Sequence, residues 1–308
     1  MVPGERPSRP PRRRVDGVLL LDKPHGLSSN AALQRAKRMF AAEKAGHTGT
    51  LDPLATGLLP LCFGDATKFA HALLDATKEY VATVLFGSST TTGDAEGETL
   101  RTGDVTFSRA ELASALSRFV GTIAQIPPAY AALKFQGRNY YEYARAGIDI
   151  PRAPRDIEIT AIELVDWSPP LAVLRVACGK GTYVRALAED LAAAVGSCAH
   201  LAALRRTAAG PFSLEGAMTL EALEGMAPAA RDALLLPADA ALAGVTRLDV
   251  DALSAQALVH GRVAGAPPGT IGKYRCYGPR GGFLGLVESA GGTLRALRLA
   301  RTDAPLES

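Results

Sequence analysis

The chain has little of what a metal centre or a disulfide framework requires. Its four cysteines, Cys62, Cys178, Cys198 and Cys276, lie far apart with no C-x-x-C pair, which excludes both a cystine scaffold and a zinc knuckle. The five histidines are scattered, with no H-E-x-x-H or H-x-E arrangement. No apolar run approaches the ~18–20 residues of a membrane span. The first residues, MVPGERPSRPPRRR, carry basic side chains with no apolar stretch behind them, unlike a secretory signal. Nucleotide loops are missing too. CGKGTYVRALAEDL fails the G-x-x-x-x-G-K-[ST] pattern, because Lys180 precedes Gly181 and the upstream glycine is absent. No G-x-G-x-x-G follows a strand. These absences predict a reduced, cytoplasmic protein with no structural metal and no dinucleotide cofactor.

What is present is an ordinary globular composition, 47% hydrophobic and 21% charged over 308 residues. That length suits one large domain, or a large one and a small one. The net charge of +3 is unevenly spread. Residues 1–14 hold five arginines and one glutamate, and residues 241–301 hold eight Lys/Arg against three Asp/Glu. Such segregation is the electrostatic footprint of a nucleic-acid binder, although a solvated face is the commoner origin of any single cluster.

The Pro/Arg-rich residues 1–14 cannot bury apolar area and are expected to be disordered. DGVLLLDKPHG reads as a buried strand, and SSNAALQRAKRMF as a serine-capped helix. TKEYVATVLFG, residues 77–87, alternates as a half-buried strand does. SRAELASALSRFVG, residues 108–121, predicts a helix with a Ser108/Glu111 capping box and Gly121 past its end. IEITAIELVDW and LAVLRVACG, joined by SPP, predict antiparallel neighbours, and residues 181–196 a second amphipathic helix. Without a steady βαβ rhythm, the fold class is α+β with a mixed, largely antiparallel sheet flanked by helices. Residues 15–236 form the main domain on this reading. Within it, residues 126–156 interleave Lys134, Arg138, Arg145, Arg152 and Arg155 with Tyr130, Phe135, Tyr140, Tyr141 and Tyr143. Either the tyrosines pack on the body, or the insertion offers phosphate contacts and base stacking. Residues 237–308 shift to short strands with Gly-rich turns, the pattern of a small β-barrel.

GHTGTLDPLATGLLP, residues 46–60, surrounds one carboxylate, Asp52, with three glycines, three threonines and two prolines. An Asp before Pro often does no more than initiate a turn. Here the loop is unusually constrained, and GTYVR opens a helix elsewhere. Arg185 of that motif could pair with Asp52 and keep it ionised. Asp94, Glu96 and Glu98 in TTTGDAEGETL also allow a weaker reading, a glycosidase using two carboxylates.

GHTGTLDPLATGLLP, TKEYVATVLFG, TTTGDAEG, CGKGTYVRALAEDL and LAALRRTAAGPFSLEGAMTL, preceded by LLLDKPHGLSS, resemble in order and spacing the bacterial TruB-type tRNA pseudouridine synthases. The resemblance spans residue 16 to about residue 301, and the C-terminal section resembles that family's PUA domain. It implies isomerisation of uridine 55 in the tRNA T-loop to pseudouridine through base flipping, without cofactor or metal. It also implies a tRNA partner bound at the T-stem and T-loop, no membrane, no protein partner and a monomer. The resemblance makes Asp52 the essential carboxylate, whether it attacks C1′, adds to C6 or removes the C2′ proton. Tyr80 is implied to stack on the uracil and accept the C5 proton, and Arg185 to pair with Asp52. Tyr183 and Leu204 are implied to contact the substrate, and His47 to fill the space of the flipped base. Lys23, Gly49 and Leu51 are supporting residues, and 126–156 is a clamp over the T arm. A rival from another class is a tRNA-folding chaperone in which catalysis is secondary.

Overall fold

Residues Lys78–Phe86 carry apolar side chains that find partners on both sides, and this strand becomes the axis of the protein. It pairs antiparallel with Ala199–Ala209 on one side and Leu171–Cys178 on the other. In the computed structural model, which describes residues 11–301, a nine-stranded sheet grows from that axis. Its main path runs Gly17–Lys23, Thr56–Phe63, Ala199–Ala209, Lys78–Phe86, Leu171–Cys178, Arg155–Ser168, Gly121–Gln125. Among the described residues of this sheet, only Thr56–Phe63 against Ala199–Ala209 is parallel. The sheet is therefore mixed and largely antiparallel, as the sequence suggests.

Thr56–Phe63 is an almost unbroken apolar run because both of its faces are covered. Leu59, Leu61 and Phe63 pack with Leu33 and Ala36 of the helix Ser29–Met39 and with Phe40, which caps its C-terminus. Leu58 and Cys62 point the other way, toward Phe69 and Leu73. A third cluster lies under the helices Arg109–Leu116 and Val184–Ala194.

The predicted caps are present. Ser28 accepts from the Ala31 N–H, and Ser108 and Glu111 form the reciprocal capping box. Gly121, however, does not stop that helix. The helix ends at Leu116 and a short 3₁₀ turn follows. Gly121, at φ +100°, opens the strand that pairs with Arg155–Ser168. Arg155–Ser168 and Leu171–Cys178 are antiparallel neighbours, as expected.

The insertion is a hairpin, Lys134–Phe135 with Arg138–Asn139, followed by the helix Tyr140–Arg145. It ends earlier than the sequence suggests, since Arg155 already pairs with Gln125 in the main sheet. Its aromatics are partly used internally. Tyr140 and Tyr143 are buried, the Tyr143 hydroxyl donates to the Phe135 carbonyl, and Arg138 and Arg145 lie over the rings of Tyr143 and Tyr141.

The C-terminal section is a five-stranded half-barrel with the helix Ala252–Val259, which the sequence reading did not anticipate. It is not separate from the main body. Phe283 meets Phe69 at a centroid distance of 5.2 Å, and Lys68 donates to the Leu299 carbonyl at 3.0 Å. At the other terminus, the expectation of a disordered tail through residue 14 needs correcting. Arg13 exchanges backbone hydrogen bonds with Ala41 and Glu43 and pairs with Asp232, and Arg14 pairs with Asp16. The remainder of that tail, residues 1–10, and the end of the C-terminal section, 302–308, lie outside the described residues. Among the described residues no helix is long and apolar enough to cross a membrane.

Candidate active site

The loop bearing Asp52 is held by side chains from the first helix. Ser29, 1% exposed, donates through Oγ to the Leu51 carbonyl at 2.9 Å and accepts from the Leu51 N–H at 2.7 Å. Both backbone groups beside Asp52 are thus satisfied by one hydroxyl. The Gly26 N–H donates to the Pro53 carbonyl at 2.8 Å. Lys23 is fully buried, and its ammonium donates to the carbonyls of Pro24, Leu27 and Pro53. Burial lowers its pKa to about 8, with Asp52 opposing that shift. Lys23 therefore ties the strand end to the loop from behind.

Arg185 comes from the first turn of the helix Val184–Ala194. Its neighbour Tyr183 is locked by Gln125, whose amide donates to the Tyr183 carbonyl at 3.1 Å and accepts from its N–H at 2.9 Å. The Arg185 side chain is buried and reaches Asp52 at 3.0 Å. It also donates to the carbonyls of Thr92 and Tyr130, and lies 3.7 Å from Asp94. Asp94 is itself buried, accepting from the Thr92 hydroxyl and the Glu96 N–H. Asp94 sits in the structural support of Arg185, not at the cleft. Glu96 and Glu98 do not line the cleft either, so among the described residues it lacks the second carboxylate a glycosidase would need.

The sequence reading expected Arg185 to lower the pKa of Asp52, but the net direction is upward. Burial is the largest cause and Asp94 adds repulsion; together they outweigh the Arg185 cation. The side chain is nevertheless 42% exposed. It opens onto a recess lined in part by Leu51, Leu74, Tyr80 and Leu204, apolar surface that solvates an anion poorly, so the upward direction stands. Folding accordingly favours the protonated carboxyl. That contribution to stability is complete below the ordinary carboxylate value of 3.8 and is lost as pH rises through the higher folded value. A reaction that used Asp52 as an anion would need the other form. The single-turnover rate at subsaturating enzyme, which reports the free protein, should then fall on the acid side with an apparent pKa above 3.8. An acid limb at or below that value would contradict this electrostatic picture.

Asp52, Tyr80, Tyr183, Arg185 and Leu204 line one cleft of about 310 Å³, with Gly49 and Leu51 in its wall. The volume is at the lower end for a small-molecule site and suits one flat group. Tyr80 and Leu204 come from paired strands, with Leu204 opposite Ala82 and Arg206 opposite Tyr80. Burial raises the Tyr80 pKa and keeps the phenol neutral in the free protein. Neither Lys23 nor His47 lines the cleft. His47 lies on the short strand Ala45–His47, and its buried Nδ1 has no partner. Burial and the nearby Arg206 cation lower its pKa, favouring neutral imidazole.

Ser29, Gln125 and Arg206 were not picked out from the sequence. Arg206 had a usable signal. On a strand, residues two apart share a face, so choosing Leu204 should have brought Arg206 with it. Ser29 and Gln125 had none, because their role exists only through contacts across the fold.

Residues 37–184 match the TruB family pseudouridylate synthase (N terminal domain), and residues 185–243 match the tRNA pseudouridylate synthase B C-terminal domain. The tRNA pseudouridine synthase B of Thiobacillus denitrificans is 53% identical, covering 96% of this chain and 99% of its own. That of Burkholderia mallei is 51% identical, covering 95% and 99%. Among solved structures, the crystal structure of a Cbf5-Nop10-Gar1 complex contains a chain with TM-score 0.72 at 26% identity, covering 94% of this chain and 85% of that one. With a single carboxylate facing the cleft and relatives matching from end to end, the chain belongs to the bacterial TruB family of pseudouridylate synthases.

Proposed function

We propose that the protein is a tRNA pseudouridine synthase that isomerises the T-loop uridine at position 55, acting as a cytoplasmic monomer on free tRNA. The reaction breaks the N1–C1′ bond, turns the uracil and joins C5 to C1′. The C5 proton leaves, N1 gains one, and no water is consumed. One anionic group beside the ribose and one acceptor for the C5 proton therefore suffice. The observation that carries the proposal is that Asp52 reaches the cleft while Arg185, buried behind it, fixes its orientation.

The target base must leave its stack to enter a recess of this size, at a cost of a few kcal/mol. Tyr80 and Leu204 provide the two walls between which a flat base fits. Tyr183, set at the helix start, contacts the nucleotide, and neutral His47 takes the space left in the T-loop. The hairpin and helix of the 126–156 insertion grip the T arm, and the basic half-barrel adds phosphate contacts. Extruding a base would also help a misfolded tRNA rearrange, but a chaperone needs no carboxylate oriented by a buried arginine. Catalysis is the primary role. Among the described residues no His/Cys/Asp/Glu group is placed to hold a metal, and the proposed steps require none.

The test is incubation of the full chain with an unmodified tRNA transcript, with and without EDTA, followed by carbodiimide labelling and primer extension. One stop at position 55 is expected under both conditions. Labelling elsewhere, or none, would overturn the assignment.

A further inference from the structure

Arg206 is the largest fully buried side chain among the described residues, 1% exposed, and the chemistry above leaves it without a task. Its Nε donates to the Leu58 carbonyl at 2.7 Å and an Nη to the Gly49 carbonyl at 3.1 Å. Among the described residues it has no carboxylate partner. A buried cation without a counter-ion is costly, and its surroundings worsen the cost. Lys23, Lys78 and His47 all feel its positive charge. The Lys78 ammonium is occupied by the carbonyls of Leu74 and Ala76. Arg206 and Lys78 both line the cleft, so two cations stand together in its wall.

The group that Arg206 faces across the strand pair is Tyr80. Both side chains line the same cleft, and the guanidinium is the foremost influence opposing burial at the phenol. Asp52 and Cys178, the other titratable groups near Tyr80, act the opposite way. A phenol accepts a proton well only as phenolate, and a nearby cation stabilises that form.

We propose that Arg206 is the positioning residue of Tyr80, holding the phenolic oxygen toward the substrate and stabilising the phenolate that takes the C5 proton. This rests on the isomerase reading above. The phenol first gives its proton to solvent. The phenolate then takes the C5 proton, and N1 is protonated from water, so charge and protons balance. Gly49 is part of the same arrangement. At φ +78° it needs no side chain, and a Cβ there would stand 3.2 Å from an Arg206 Nη. The Asp52 loop, through the Gly49 carbonyl, and Tyr80, across the strand pair, thereby share one guanidinium.

The test compares Arg206→Gln, Arg206→Lys, Tyr80→Phe and the Tyr80→Phe/Arg206→Gln double variant of the full chain, each checked by thermal melting. With an unmodified tRNA transcript, Arg206→Gln should slow the single-turnover rate by about 100-fold. Transcript affinity should stay within about threefold, since only the transition state loses a contact. Arg206→Lys should recover at least about tenfold, because it restores charge but not the forked geometry. The double variant should be no slower than Tyr80→Phe alone. An independent arm needs no RNA. The ¹³Cζ resonance of labelled Tyr80, assigned by its loss in Tyr80→Phe, should move in Arg206→Gln and return toward its position in Arg206→Lys. An unmoved resonance, a wild-type rate in Arg206→Gln, or a full additional loss in the double variant would overturn the proposal. If the resonance moves as expected but wild-type protein makes no pseudouridine, it is the isomerase reading that falls.

Discussion

Asp52→Asn should abolish pseudouridine formation, lowering the single-turnover rate by on the order of 10⁴-fold or more, while transcript affinity stays within about threefold. Asparagine has nearly the same volume and keeps an oxygen for Arg185, but it lacks the anionic oxygen on which every version of the mechanism depends. Binding draws on phosphate contacts spread over the surface, and the carboxylate adds little to them. The electrostatics supply a built-in control. Because burial already works against the ionised form of Asp52, removing the charge should leave the melting temperature unchanged or slightly higher. A variant that is dead because it is unfolded would show the reverse. Substantial product from a stable Asp52→Asn protein would rule out Asp52 as the essential group.

Arg185→Met should cost both stability and activity. The guanidinium holds Asp52, Asp94 and the carbonyls of Thr92 and Tyr130. Its loss leaves the buried Asp94 without a cation, and a broken buried pair typically costs about 3–5 kcal/mol. Asp52 is partly exposed, so its half of the loss is discounted for solvent screening, which favours the lower end. For a chain of this size that corresponds to a fall in melting temperature of roughly 5–10 °C. The sign of the pH dependence follows. Without Arg185 the carboxyl of Asp52 is held still higher, so folding gains when it takes up a proton. The deficit relative to wild type should therefore shrink as pH falls from neutrality toward the acid range. Arg185→Lys should regain part of the stability but not the activity, since a point charge cannot reproduce the forked contacts. Equal melting temperatures for Met and wild type at neutral pH would contradict the proposed role.

Where one local signal dominated, the sequence predicted the structure well. Ser28, Ser108 and Glu111 announced helix starts that contain those bonds. The alternation of Lys78–Phe86 and the SPP turn revealed neighbouring strands of the central sheet. Gly121 misled, because a positive-φ glycine opens a strand as readily as it closes a helix, and only pairing with Ile159 decides between them. The helix Ala252–Val259 was hidden among Gly-rich turns whose short strands dominated the pattern. At the site, motif order was enough to collect Asp52, Tyr80 and Arg185, since each lies in a distinctive stretch. The pKa of Asp52 was not legible. Its direction depends on how much burial and Asp94 offset one arginine, and that balance is a property of the assembled cleft.

The contact between Phe69 and Phe283 limits how the protein can be re-engineered. Val18, Leu58, Phe69 and Leu73 of the main body share one hydrophobic cluster with Phe283, Leu286 and Ala300 of the half-barrel. Exchanging C-terminal modules with a relative at residue 237 would therefore cut through a core, not a linker. The helix Ala70–Asp75 follows Phe69, and its Leu74 lines the cleft that holds Asp52. A workable chimera must carry Phe69 and that helix along with the module, and so must reshape one wall of the Asp52 cleft.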